Sequence, residues 1–78
     1  MSSTIKLSEL AIGANALVHT LENQKALKSR LMALGIYPGE ALTPIFRAVC
    51  GDPTAYLIQN TVIALRRSDA EKIRVIPI

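Results

Sequence analysis

Tryptophan is absent from this chain, and histidine and cysteine occur once each. A lone cysteine, Cys50, excludes an intramolecular disulfide and fits a reducing compartment. It also weakens any metal reading. His19 and Cys50 are the soft ligand candidates, and neither has a neighbour at Cys-x-x-Cys or His-x-x-x-His spacing, so the residues argue against a structural zinc site. Ferrous iron favours a set of imidazole and carboxylate ligands, which one histidine without an adjacent acidic cluster does not supply. No metal and no cofactor is expected within one chain, while a weak metal site shared between chains stays open. Cys50 reads as a small buried hydrophobe.

Aromatics are nearly as scarce: Tyr37, Phe46 and Tyr56 are all there are. A single-strand nucleic-acid binder needs stacking aromatics on one face beside a basic groove. Three dispersed rings and a net charge of +3, from nine scattered bases and six acids, argue against that role. The charge excess is of a size that can help contact with an acidic partner or a membrane surface. Catalytic signatures are missing too. No Ser-His-Asp or Cys-His arrangement is readable, the carboxylates are unpaired along the chain, and the four glycines form no phosphate-binding loop. The expectation is a binding protein, not an enzyme, without a GTP site of its own. Uncharged runs are too short to span a bilayer, and Met1-Ser2-Ser3-Thr4 lacks the layout of a signal peptide, which predicts a soluble cytoplasmic protein.

What is present is a set of turn signals wired to apolar segments. At 78 residues the chain reads as one domain, 1–78, and a domain of this size buries only about 60–65% of its unfolded surface. Half of the residues are hydrophobic, which suits a small dense core. Ser8 to Ala11 reads as a short helical or irregular turn, Gly13-Ala14-Asn15 as a turn, and Ala16 to Thr20 as a strand. Leu27, Leu31 and Leu34 fall at i, i+4 and i+7, one helical stripe over Gln24 to Leu34. Asn23 is the expected N-cap and Gly35 the stop, since glycine enters the left-handed region without steric penalty. Pro38-Gly39 then spells a type II turn. Glu40 to Val49 reads as a strand with Leu42, Phe46 and Ala48 on one side. Pro44 has no N–H for a ladder, so this strand is predicted to be an edge there or to lie beside a bulge. Gly51-Asp52-Pro53 is a turn, Thr54 to Gln59 a strand, Gln59-Asn60-Thr61 a tight hairpin turn, and Val62 to Leu65 a strand. Ser68-Asp69-Ala70-Glu71 matches a capping box and predicts one helical turn with Ser68 as N-cap. Ile73 to Ile78 alternates as a final strand. Five short strands, tight turns and one real helix predict a mainly β, α+β domain that closes into a partly open barrel.

These residues resemble the family of ferrous iron transport protein A, FeoA. The family pattern Leu-x-x-Leu-Gly-φ-x-Pro-Gly, with φ a hydrophobic residue, appears as Leu31 to Gly39. It is followed at family spacing by Gly51-Asp52-Pro53 and Ala64-Leu65-Arg66, and Leu7-Ser8-Glu9-Leu10-Ala11-Ile12-Gly13 looks like the family's opening. The likeness runs from about Leu7 to Val75. It implies an SH3-like small five-stranded β-barrel with an inserted helix. It further implies a cytoplasmic accessory protein of bacterial ferrous iron uptake, acting with the membrane permease FeoB, whose cytoplasmic part binds GTP. On that reading the chain stands at the inner face of the membrane through its partner and has no span of its own. The alternative is a small barrel of the iron-dependent regulator type, or one that binds nucleic acid.

Three sites merit separate reading. Asp52 is expected to bond nearby backbone N–H groups in its turn. Arg66 and Arg67 read equally as a solvated strand end or as a contact for an acidic partner. Tyr37, before Pro38, reads as a partner anchor or as packing over the helix end. Gly35, Pro38, Gly39, Gly51, Asp52 and Pro53 are assigned structural turn roles, and weak self-association stays open.

Overall fold

The computed structural model describes residues 3–78. Among these the strands are β1 (Ile5–Lys6), β2 (Ala16–Leu21), β3 (Ala41–Arg47), β4 (Thr54–Ile58), β5 (Thr61–Leu65) and β6 (Ile73–Pro77). A single 3-10 turn covers Leu7–Glu9, α1 covers Lys25–Ala33, and α2 covers Arg67–Ala70. All strand pairs are antiparallel, in the order β1-β6-β2-β3-β4-β5. The mainly β architecture agrees with the sequence reading, with a two-residue strand, Ile5–Lys6, added to the five expected.

The turns form as their residues dictate. Leu34 is the C-cap of α1; the Ile36 N–H reaches the Leu31 carbonyl at 2.9 Å, and the Gly35 N–H reaches that of Met32 at 3.1 Å. This is a Schellman motif, and its left-handed residue is Gly35 at φ +104°. Its apolar clasp is Ile36 on Leu31, both buried. In the next turn the Glu40 N–H bonds the Tyr37 carbonyl at 3.1 Å, with Pro38 and then Gly39, at φ +95°, in the central positions. Gln59 and Asn60 both take positive φ, 50° and 61°, as the two-residue hairpin between β4 and β5 demands.

The core lies inside the curled sheet. Leu7, Ala16, Val18, Leu31, Ile36, Leu42, Tyr56, Ile58, Ile73 and Val75 are buried together. Two bulges let the long strands bend around it. The β2–β6 register shifts between Val18 and Thr20, so that Ala16, Val18 and Leu21 all face inward while His19 is exposed. The β3–β4 register shifts between Pro44 and Phe46. The extra residue in each strand kinks it and strengthens its twist. β3 pairs with β2 only at Ala41 and Leu42, so Pro44 leaves no ladder bond unmade.

Several local expectations are corrected. The bulge at Ile45 breaks the alternation, so Leu42 and Pro44 are buried but Phe46 turns outward, 58% exposed. Leu34 leaves the helix stripe: as the C-cap it is 52% exposed, and Ile36 fills the core in its place. Asn23 is not the N-cap of α1; that position is Gln24, which makes no side-chain cap bond. Asn23 is buried instead, and its Nδ2 donates to the Asp69 carbonyl at 3.1 Å. Ser68 lies inside α2, whose N-cap is Arg66, so the capping box does not form. Cys50 is exposed, not buried.

Two outcomes follow from this packing. A Cβ at position 39 would meet nothing within 4 Å, so Gly39→Val costs backbone strain alone. Chemical denaturation is expected to show a loss of about 1–3 kcal/mol. The second outcome concerns Tyr56, whose phenol is pushed above its usual 10.0, mainly by burial and slightly by Asp52, with Thr54 and Arg47 opposing. A pKa raised by folding contributes stability that is intact below the unfolded value and lost as pH climbs through the folded one. Thermal melts from neutral pH to above pH 10.0 are therefore expected to fall more steeply for the parent chain than for Tyr56→Phe.

Candidate interaction site

The described residues offer surface, not a cavity. No enclosed pocket opens among them, and no three of His, Cys, Asp and Glu converge in a way that could hold a metal ion. Among the described residues no helix is long and apolar enough to cross a membrane. The features that remain are the two ends of the β4–β5 hairpin and the face between them.

At the turn end, Tyr37 is half-buried and tied down. The Gln59 side chain donates from Nε2 to the Tyr37 hydroxyl at 3.0 Å and to Glu40 Oε1 at 2.7 Å. A Cβ on Gly35 would stand 3.0 Å from Gln59 Oε1, so the same glutamine closes over the end of α1. Tyr37 is thus held at the turn end of the hairpin through its hydroxyl, with Gln59 between it and the end of α1.

At the other end, the β3–β4 loop folds against the start of α2. Asp52 Oδ1 accepts the Arg67 backbone N–H at 2.9 Å. This carboxylate satisfies one of the first N–H groups of α2, which the helix itself leaves unpaired, and places negative charge at the positive end of the helix. The expected bond from Asp52 to a backbone N–H exists, but it reaches across to a different segment. Next to it the Cys50 thiol donates to the Asp52 carbonyl at 3.2 Å, and Val49 projects fully into solvent. Arg66 and Arg67 are exposed here, and Arg47 ends β3 in the same row, where Arg47 pairs with Thr54 and Thr54 with Leu65. The structure therefore joins Asp52 with Arg66 and Arg67 but separates them from Tyr37 by the length of β5, roughly 17 Å at about 3.4 Å per residue.

Between the two ends lies an apolar outer face. Leu57 pairs with Val62, and Ala55 sits between Phe46 and Ala64. Phe46, Leu57 and Val62 are 58%, 41% and 55% exposed, which leaves their hydrophobic surface open to solvent. That Ala55 and Leu57 share a face opposite Tyr56 and Ile58 is visible in sequence, whereas the outward turn of Phe46 depends on a bulge that no local motif announces.

Removing the Asp52 cap should have a defined cost. Asp52→Ala is expected to destabilise the domain by about 0.5–2 kcal/mol, the range for loss of a helix cap. The Arg67 amide should lose hydrogen-exchange protection in the same variant, and unchanged protection would count against the cap.

Comparison with known proteins places this arrangement. The FeoA domain family matches residues 5–77. A relative from Porphyromonas gingivalis, a fusion protein of Fe(2+) transport protein A and the Fe(2+) transporter FeoB, is 34% identical over 71 residues, 91% of this chain. The chain spans only 8% of that relative's length. The solution structure of FeoA from Chlorobium tepidum superposes with a TM-score of 0.91 at 35% identity, over 95% of this chain and 70% of that one. The crystal structure of Stenotrophomonas maltophilia FeoA, a prokaryotic SH3 domain protein complexed with zinc, gives 0.79 at 31% identity, over 95% and 89%. A family match across nearly the whole sheet, together with these superpositions, leaves one assignment: the chain belongs to the FeoA domain family.

Proposed function

We propose that this domain binds the cytoplasmic part of a FeoB-type ferrous iron permease and adjusts transport through protein contacts, without doing chemistry. The observation that carries the reading is the Porphyromonas gingivalis relative, in which a segment similar to this chain and an FeoB transporter share one polypeptide. Covalent linkage raises the effective concentration of one part for the other, which is useful where the two must meet. The surface suits such a role: an exposed apolar face ends in Arg47, Arg66 and Arg67. On this reading the domain works in the cytoplasm, held at the inner face of the membrane by its partner.

Nucleic-acid binding has less support. Of the three rings, Tyr56 is buried, Tyr37 is pinned at the hairpin turn, and Phe46 alone is largely exposed, so no stacking platform forms among the described residues.

Two measurements test the proposal. Ferrous uptake in cells lacking the protein should fall and recover on complementation, and normal uptake without it removes the functional claim. The protein should also retain a full-length FeoB-type permease in a pull-down with and without guanine nucleotide. The double variant Arg66→Glu, Arg67→Glu should bind more weakly while staying folded. Rim charges act mainly on association rate and salt dependence, so the loss should be greatest at low ionic strength, where screening is least.

A further inference from the structure

The sheet has two edges, and they differ in kind. β1 is two residues long and carries Lys6. β5 is five residues long, Thr61–Leu65, with no charge, no proline and no bulge in its register with β4. Natural edge strands are normally blunted by one of those devices, because a row of open N–H and C=O groups is a template for another chain. Among the described residues no element besides β4 packs extensively along β5.

Its open groups can be named. In a two-residue hairpin the closing pair, here Ile58 and Thr61, exchanges both ladder bonds. Every second residue then does the same, so Thr61, Ile63 and Leu65 direct their backbone groups to β4. Val62 and Ala64 direct theirs away from the sheet, and among the described residues no turn or loop bond reaches them. The side chains of these same two residues lie on the outer face, Val62 beside Leu57 and Ala64 beside Ala55. Open backbone donors and acceptors thus face one missing neighbour strand, whose side chains would extend the apolar outer face at Val62 and Ala64. The two ends of β5 are electrically unlike. Gln59 and Asn60 precede it, whereas Arg66 and Arg67 follow it, exposed and free of any ion pair within 4.0 Å among the described residues.

We propose that β5 is a strand-addition site for an extended segment of a partner protein. The segment is apolar at alternate positions and acidic at its N-terminal end. It pairs antiparallel with β5, so that its apolar side chains continue the Val62 and Ala64 positions and its acids lie beside Arg66 and Arg67. Main-chain bonds supply affinity in this mode, and side chains at alternate positions supply specificity. The proposal deepens the role given above and rests on it only for which chain supplies the segment.

The test uses the full chain and a synthetic peptide, acetyl-Glu-Glu-Thr-Val-Thr-Val-Thr-amide, so that its outcome is separate from that of the permease pull-down. Titration followed by amide NMR is expected to give saturable shifts centred on Val62 and Ala64, and slowed exchange of those two amides. A peptide with Lys-Lys at its start should bind roughly tenfold more weakly, about 1.4 kcal/mol. Ala64→Pro removes an outward N–H and leaves the β4 ladder whole, as proline on an edge strand allows, and it should abolish the shifts. Val62→Pro serves if Ala64→Pro does not fold. Shifts that are absent or centred elsewhere overturn the proposal, as does unchanged binding by a folded proline variant or equal binding of the lysine peptide. Shifts of Val62 and Ala64 that follow protein concentration and ignore peptide would assign the edge to a second copy of this chain, and would also overturn it.

Discussion

A six-stranded antiparallel sheet can enclose a core only if its long strands bend. That constraint is met at two bulges, one beside His19 in β2 and one beside Ile45 in β3. Each inserts a residue that its partner strand does not match, and each changes which side chains face inward. Past the first, Leu21 joins Ala16 and Val18 in the core. Past the second, Phe46 leaves it. The inner surface that holds Leu7, Ile36, Ile73 and Val75 and the apolar outer face that ends at Phe46 therefore have one geometric origin.

The connection between the two halves of the sheet depends on α2. This single turn carries the chain from β5, at one edge, to β6, which lies between β1 and β2. A four-residue helix has little intrinsic stability, since nucleation fixes several residues for one hydrogen bond. It is held from outside. Asp52 caps its N-terminus from the β3–β4 loop, and Asn23 binds the Asp69 carbonyl from the segment before α1. Both ties are made by residues that, read alone, belong to local turns and caps.

Sequence and structure agree where a residue constrains its own backbone. Gly35, Pro38-Gly39 and Asn60 select their turns through φ alone, so the helix stop, the type II turn and the hairpin are legible. The family pattern is legible for the same reason, because it is largely a pattern of turns. Agreement ends where the decisive partner is distant. Asp52 meets Arg67 fifteen positions away, and Asn23 meets Asp69 forty-six away. Ser68-x-x-Glu71 has the form of a capping box, but the chain enters the helix at Arg66, two residues too early for it to close. Leu34 fits the apolar stripe by spacing and loses its place to Ile36 because the Schellman turn folds the following residue back under the helix. For the site, the Arg66-Arg67 strand end was visible as a charge pair, while its separation from Tyr37 depends on strand length and pairing.

The place of β6 in the sheet bears on the order in which the chain can fold. β3, β4 and β5 are joined by short loops and form a meander from neighbouring segments, which costs little loop-closure entropy. β6 follows all of them in sequence, yet it is the strand that links β1 to β2. During synthesis from the N-terminus, β1 and the outer side of β2 have no mate until the stretch through Pro77 has left the ribosome. The segments of the meander are therefore all present before β6 emerges, and the half containing β1, β2 and β6 closes only once β6 is there to join it.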